Sequence, residues 1–250
     1  MHRRQALKLL ASLALCPVCV AKGFAEDAHW AYEGHGGPNE WGDLDPANRV
    51  CSVGSQQSPV DIRESIKARL SSLKIGWARR ADTIVNNGHT IQLNVADGSK
   101  LTAPGGEFKL VQFHFHRPSE HQINGKIYPM EAHFVHANAA GDLAVVGVLM
   151  EIGKANLVFN KIVSTMPAKE GPAMKADSAI NPNGMLPAKL TYYRYPGSLT
   201  TPPCSETVDW LLLTEPIRVG AEDVAAFAKL YALNARPVQK ANRRFVLRSG

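Results

Sequence analysis

Gln112-Phe113-His114-Phe115-His116 is the stretch on which the reading of this chain turns. Side chains alternate faces along an extended strand, so Gln112, His114 and His116 share one side, and two imidazoles on one face can share a metal ion. A second strand-like stretch, Glu131-Ala132-His133-Phe134-Val135, carries a third histidine on the face of Glu131 and Val135. Asn124-Gly125 between them is a hairpin signal, and an unbroken hairpin about it sets His116 opposite His133, although Pro118 interrupts such a ladder. Three histidines with no fourth protein ligand are the donor set of catalytic zinc sites, whose remaining tetrahedral position is open to water; structural sites usually close with cysteines. Ligand histidines need their second nitrogen held by an acceptor. Gln112 and Glu131, each two residues from a ligand on the right face, are the candidates to hold His114 and His133. His35 and His136 stand alone and read as ordinary surface or core histidines.

Outward from these stretches the pattern is one of short strands. Apolar runs at 84–85, 91–95, 108–115, 127–135, 143–150, 190–194 and 208–213 are separated by turn residues, the pattern of a sheet protein. Helical periodicity is sparse. Glu222 to Leu233 sets Val224, Phe227, Ala228 and Tyr231 on one face behind two acids, and Asn156 to Met166 stops at Pro167. Residues 26–59, rich in Gly, Pro, Trp and Asn, read as an irregular arm. The expectation is a mainly β (α+β) fold: one domain on a large, twisted, mostly antiparallel sheet of about ten strands with short surface helices.

The chain has 250 residues, 45% of them hydrophobic and 20% charged, enough for one sizeable core. Arg3 and Arg4, an apolar run from Leu7 to Val20 and a small-residue ending at Ala25 read as a secretory leader over residues 1–25, with 26–250 as the mature domain. The run is about 14 residues long and broken by Pro17, against the roughly 20 of a membrane span. Arg3-Arg4-Gln5-Ala6-Leu7-Lys8 also resembles a twin-arginine export signal; an ordinary signal with two arginines is the other reading. Either ends in the periplasm or outside the cell. Without the leader the formal charge falls from +6 to +2, which does not support a nucleic-acid footprint. Cys16 and Cys19 lie in the leader, leaving Cys51 and Cys204 as the pair that an oxidising compartment should bridge, the alternative being two buried thiols. Closing so long a loop stabilises by about 4 to 5 kcal/mol in the chain-entropy picture.

Further stretches stand in order around the histidine strands: Gln57-Ser58-Pro59-Val60-Asp61-Ile62, Asn86-Asn87-Gly88-His89, Ser119-Glu120-His121 and Tyr195-Pro196-Gly197-Ser198-Leu199-Thr200-Thr201-Pro202-Pro203. With them, the region from about Trp30 to Arg243 resembles the alpha class of carbonic anhydrases. That resemblance implies reversible hydration of carbon dioxide to bicarbonate and a proton by hydroxide generated on one zinc ion per chain, Zn2+, held by His114, His116 and His133. It implies that Thr200 accepts from the hydroxide and donates to Glu120, a pair that sorts ligands by protonation; from the residues alone, Thr200 is plain turn chemistry. Val135, Val145, Leu199 and Trp210 match the apolar wall of the carbon dioxide pocket, though each alone reads as generic core. His89 matches the proton shuttle, an imidazole titrating between about pH 5 and 8. Tyr32, Gln92 and Thr201 match residues that order the intervening waters, Thr201 also lying against substrate. Cys51 and Cys204 match a bridge of secreted members, and cis peptides are implied before Pro59 and Pro203. Sulfonamides or anions are the implied inhibitors. Arg117, where many animal members carry tryptophan, leaves the mechanism intact; Gln92, where asparagine is common, puts the water network and rate in question.

Two other classes of function fit the same histidines: a catalytically silent carbonic-anhydrase-like zinc-binding protein, and a zinc-storing or structural protein. Silent relatives usually lose a ligand histidine, and a zinc buffer should lack the apolar wall and the gate; both are present here. Whether the chain works as a monomer or a homodimer is not legible.

Overall fold

The computed structural model describes residues 30–78 and 80–250, so the leader and its two cysteines lie outside the described residues. The architecture is a mixed, mostly antiparallel sheet. Its continuous order runs Met174–Lys175, Thr83–Asn86, Ile91–Asn94, Gly106–His116, Met130–Ala137, Leu143–Ile152, Val208–Leu213, Tyr192–Gly197, Leu247–Ser249, Ile66–Ala68. The seven apolar runs expected as strands all fall on this path, Met174–Lys175, Leu247–Ser249 and Ile66–Ala68 lie outside those runs, and Lys74–Gly76, Lys100–Ala103 and Ile217–Val219 branch from it to make thirteen strands among the described residues. Parallel pairing occurs where Leu143–Ile152 meets Val208–Leu213 and Ile217–Val219, and where Leu247–Ser249 meets Ile66–Ala68.

Alternation along the central strands sends alternate residues into two apolar clusters. Ala132, Phe134, Val146, Val148, Leu211 and Leu213 enter the larger, which is closed by Phe159 and Ile162 of the Leu157–Thr165 helix and Val224 and Phe227 of the Ala221–Ala228 helix. Val145, Leu149, Trp210 and Leu212 enter the smaller, on the opposite face. Strands covered on both sides read as nearly continuous apolar runs, as 143–150 and 208–213 do.

The Gly106–His116 strand carries a bulge between Leu110 and Gln112. Before it Phe108 and Leu110 face the large cluster; after it Phe113 and Phe115 do. One extra residue reverses the alternation, and so Gln112, His114 and His116 lie on the face away from the large core.

Several expectations change in detail. The arm at 26–59 contains helical turns at Trp41–Leu44, Pro46–Asn48 and Val50–Val53, too short for periodicity to reveal. The helix expected to reach Leu233 ends at Ala228, where Lys229 N–H bonds back to Ala226 O three residues away, although Tyr231 still packs on Phe227. The strand expected from Ile127 begins at Met130, after Pro129, which has no N–H for a ladder. The Asn124-Gly125 turn forms, with both residues at positive φ. Yet Gln122–Ile123 pairs in parallel with Asp61–Ile62, so the hairpin is broken and His114, not His116, stands opposite His133. The slip is two residues, an even number, so it leaves the histidines on the same face. Cis peptides precede Pro59 and Pro203 as expected, and also Pro118.

His136 is a core histidine. Its Nε2 accepts from Trp77 Nε1 at 3.0 Å and its Nδ1 donates to Ala144 O at 3.2 Å. Burial pushes its pKa from 6.5 down to about 4, against the pull of backbone hydrogen bonds. Below its ordinary value the unfolded chain takes up a proton that the folded chain refuses, so the imidazole's contribution, complete above pH 6.5, is lost as pH falls toward 4. At about 1.4 kcal/mol per pH unit the loss reaches about 3 kcal/mol. The urea-unfolding gap between wild type and His136→Gln should therefore shrink between pH 7 and 4; a constant gap would mean that another group titrates.

Candidate metal centre

The even-numbered face of the bulged strand and the odd-numbered face of Met130–Ala137 meet to bring three imidazoles together. One ring nitrogen from each of His114, His116 and His133 lies within 4.8 Å of the others. The remaining nitrogen of each ring is already engaged. His114 Nδ1 donates to Gln112 Oε1 at 2.8 Å, His116 Nδ1 to the Asn234 carbonyl at 2.7 Å, and His133 Nε2 to Glu131 Oε1 at 2.8 Å. All three partners are acceptors, so the tautomers are fixed and the free lone pairs are Nε2, Nε2 and Nδ1. His116 Nε2 is buried and has no hydrogen-bond partner. An orphaned buried acceptor is costly unless a cation takes it. Burial, followed by repulsion among the rings, holds His114 well below 6.5; burial brings His116 to about 4 and lowers His133. Neutral imidazole is the form that ligates metal. The donor set and its fixed tautomers fit a zinc ion.

Glu131 is the hub beneath them. Oε1 accepts from His133 Nε2 and from His121 Nδ1 at 2.7 Å, and Oε2 from the backbone N–H of Glu120 at 3.0 Å and of His121 at 2.8 Å. Burial works against its ionisation, yet His121 and His133 outweigh this and hold its pKa well below the usual carboxylate range. Gly147 leaves space for it: a Cβ there would lie 3.2 Å from Glu131 Oε1 and 2.8 Å from Leu212 Cδ1. His121, Glu131 and His133 also form a metal-sized cluster. Four hydrogen bonds already fill that carboxylate, so the cluster is a hydrogen-bond network.

Glu120 is buried beside the histidines. Its Oε1 accepts from Arg236 N at 2.8 Å, and its Oε2 lies 3.9 Å from His133 Nδ1 without a conventional hydrogen-bond partner. Burial raises its pKa to about 7, against the lowering effects of His133, Arg236 N–H and the hydroxyl of buried Thr200. Trp210 packs edge-on against His121 and His133, at 4.7 and 4.8 Å, and its Nε1 donates to Ser198 O. Val135 and Leu199, half-buried, pack with Val145 and Trp210 in the smaller cluster, so the four expected wall residues are together. Thr201 is half-buried in the same loop.

His89 follows the Asn87-Gly88 turn. Its ring stacks on Trp30 with centroids 3.7 Å apart and planes 8° from parallel, and its backbone N–H is fixed by Asn87 Oδ1. Tyr32 stays neutral, since burial first and Glu120 next push its pKa well above 10.0. Gln92 stands opposite His114 in the ladder, its amide donating to Asn94 Oδ1. Cys51 and Cys204 are bridged and pack with Trp41.

Sequence reasoning assigned no role to Asn234, whose carbonyl holds His116 while its side chain accepts from Arg117 N and donates to the His89 and Phe115 carbonyls. Nor did it assign one to His121, Tyr195 or Arg236. His121 and Tyr195 lie inside motifs already noticed, a usable signal. Asn234 and Arg236 act on the centre through their backbones, which residue type does not betray.

The family model described as eukaryotic-type carbonic anhydrase matches residues 36–250. A carbonic anhydrase of Pectobacterium carotovorum is 40% identical over 231 residues, 92% of this chain and 95% of the relative. One from Neisseria gonorrhoeae is 40% identical over 237 residues, 94% of each. The alpha-carbonic anhydrase of Thermovibrio ammonificans, solved with the inhibitor sulfanilamide, is similar at a TM-score of 0.86 and 43% identity, over 88% of this chain and 99% of that one. Dioscorin, solved with ascorbate, is similar at a TM-score of 0.82 and 28% identity, over 88% and 97%.

Replacing Glu131 by Gln keeps the shape but forces two donors into contact. Zinc affinity, read by chelator competition, should fall by about 10- to 100-fold; unchanged affinity would remove Glu131 from the support of His133.

Proposed function

This chain belongs to the eukaryotic-type, alpha-class carbonic anhydrase family, and on that premise we propose that it hydrates carbon dioxide reversibly with one zinc ion held by His114 Nε2, His116 Nε2 and His133 Nδ1. The observation that carries the reading is the unpartnered, buried His116 Nε2 among rings whose other nitrogens are all engaged. Zinc bound there supplies Lewis acidity that makes water nucleophilic near neutral pH, a behaviour for which carbonic anhydrases are themselves the type case.

The chain's own residues do the rest. In this reading the Thr200 hydroxyl donates a hydrogen bond to Glu120, whose Oε2 no other donor fills, and so keeps only lone pairs on its oxygen toward the metal side. It therefore accepts from a ligand that carries a proton and repels one that does not. Glu120 must be ionised for this, and its pKa, raised by burial to about 7, would come down beside a bound dication. Val135, Val145, Leu199 and Trp210 offer an uncharged substrate an apolar surface. His89 carries the product proton outward, its ring held by the stack on Trp30. Tyr32, Gln92 and Thr201 order the waters between, with Tyr32 kept neutral as donor and acceptor.

The same reading takes residues 1–25 as a leader and the working protein, 26–250, as periplasmic or secreted. The Cys51–Cys204 bridge accords with an oxidising compartment, and no helix among the described residues is long and apolar enough to cross a membrane. Likeness to dioscorin, a protein solved with ascorbate, motivates one alternative: a catalytically silent zinc-binding protein on the same fold.

Stopped-flow carbon dioxide hydration, before and after zinc removal and restoration, separates the two. Fast turnover that needs zinc and is blocked by an aromatic sulfonamide is expected; one bound zinc per chain without turnover would favour the silent protein. His133→Ala should lose zinc and activity together. His89→Ala should keep zinc, turn over about 10-fold or more slowly, and recover with added imidazole buffer; full activity without the buffer would overturn the shuttle.

A further inference from the structure

Thr200 and Glu120 come from separate parts of the chain, the loop after Tyr192–Gly197 and the turn after Gly106–His116. A chain of hydrogen bonds links Glu120 to the loop that carries Thr200. Glu120 Oε1 accepts from Arg236 N at 2.8 Å. The guanidinium of Arg236, only 2% exposed, donates to Gln57 Oε1 at 2.8 Å, Ser58 O at 2.9 Å and Cys51 O at 3.1 Å. Gln57, 4% exposed, turns its amide nitrogen to Cys204 O at 3.0 Å and Glu206 Oε1 at 2.9 Å. Cys204 N donates to Thr201 O at 2.9 Å, which closes the turn over residues 201–204 that directly follows Thr200.

We propose that Gln57, braced by Arg236, is a positioning residue that sets Thr200 against Glu120 and so decides which ligands the metal site accepts; this rests on the carbonic anhydrase reading above. The chemistry requires an acceptor toward Arg236 and donors toward the loop at the ends of one side chain, which only an amide provides. Asparagine is a methylene too short. The slot is built for it: a Cβ on Gly54 would lie 2.5 Å from Gln57 Nε2 and 2.4 Å from Glu206 Oε1. Cys204 also sits at φ 57°, a conformation non-glycine residues rarely take. The disulfide tethers its side chain, while its N–H donates to Thr201 O and its carbonyl accepts from Gln57 Nε2, which fixes the peptide planes at the far end of the turn that follows Thr200.

The test compares Gln57→Met, which keeps length and loses both ends, with Gln57→Glu, which keeps the acceptor for Arg236 and loses the donors. Zinc content and turnover of the wild type are measured first; their absence would overturn the functional reading and this proposal with it. In variants that bind one zinc per chain, calorimetry gives the affinity for an aromatic sulfonamide, whose N–H can donate to Thr200, and for thiocyanate, which has no proton to give. Both variants should lose sulfonamide affinity by about tenfold relative to thiocyanate, the worth of about one hydrogen bond, and adding either to Thr200→Ala should cost nothing more. An unchanged ratio, an equal loss for both ligands, or full additivity with Thr200→Ala would overturn the proposal while leaving the enzyme intact. Should Gln57→Met fail to fold, Gln57→Glu with its Arg236 partner retained decides alone.

Discussion

The cluster of three histidines depends on one buried carboxylate. Glu131 has no exposure, and an ion so placed is tolerated only if every lone pair is satisfied. Its four donors come from three residues: His133, the next-but-one residue in its own strand, and Glu120 and His121 of the 120–121 turn, which give two backbone N–H groups and the His121 side chain. Satisfying the charge therefore fixes the turn that carries Glu120 and, at the same time, the tautomer and tilt of His133. Through His121, whose Nε2 meets Tyr195 OH at 2.6 Å, and Tyr195, which donates to Ser58 Oγ, the network continues to Ser198 at the head of the Thr200 loop. His133, Glu120 and the Thr200 loop are thus held by one chain of hydrogen bonds in which each member would be costly to leave unpaired.

Around this hub the sheet supplies two opposite faces. Phenylalanines at 113, 115 and 134 fill one side of the strands whose other side carries the ligands. Packing on that side is close, so the strands cannot slide without opening voids, and the rigidity passes to the imidazoles. The bulge at residue 111 is essential to this division. It lets the strand begin with Phe108 and Leu110 in the core and still present Gln112, His114 and His116 to the other face.

Much of this was legible. The histidine pair at spacing two, the third histidine beside Glu131, the acceptors two residues away and the sheet class follow from strand alternation, which is local. The strand edges were less so: pieces of two to four residues such as Met174–Lys175 and Ile66–Ala68 are too short to show a pattern. The register departs from that of an unbroken hairpin for a physical reason. An Asn-Gly turn specifies only the residues flanking it, and the strand piece at 122–123 finds a better partner in 61–62.

Sequence alone determined the three candidate histidines, their two side-chain acceptors and the cysteine pair, because periodicity, donor chemistry and elimination act over a few residues or on residue type; the apolar wall came from family resemblance. Tertiary structure alone decided that His114 faces His133, that a backbone carbonyl at 234 holds His116, that His89 lies flat on Trp30, and that Gln57 and Arg236 tie Glu120 to the Thr200 loop. Those contacts join segments more than 50 residues apart or pass through peptide groups, which every residue carries alike, and so no residue type announces them.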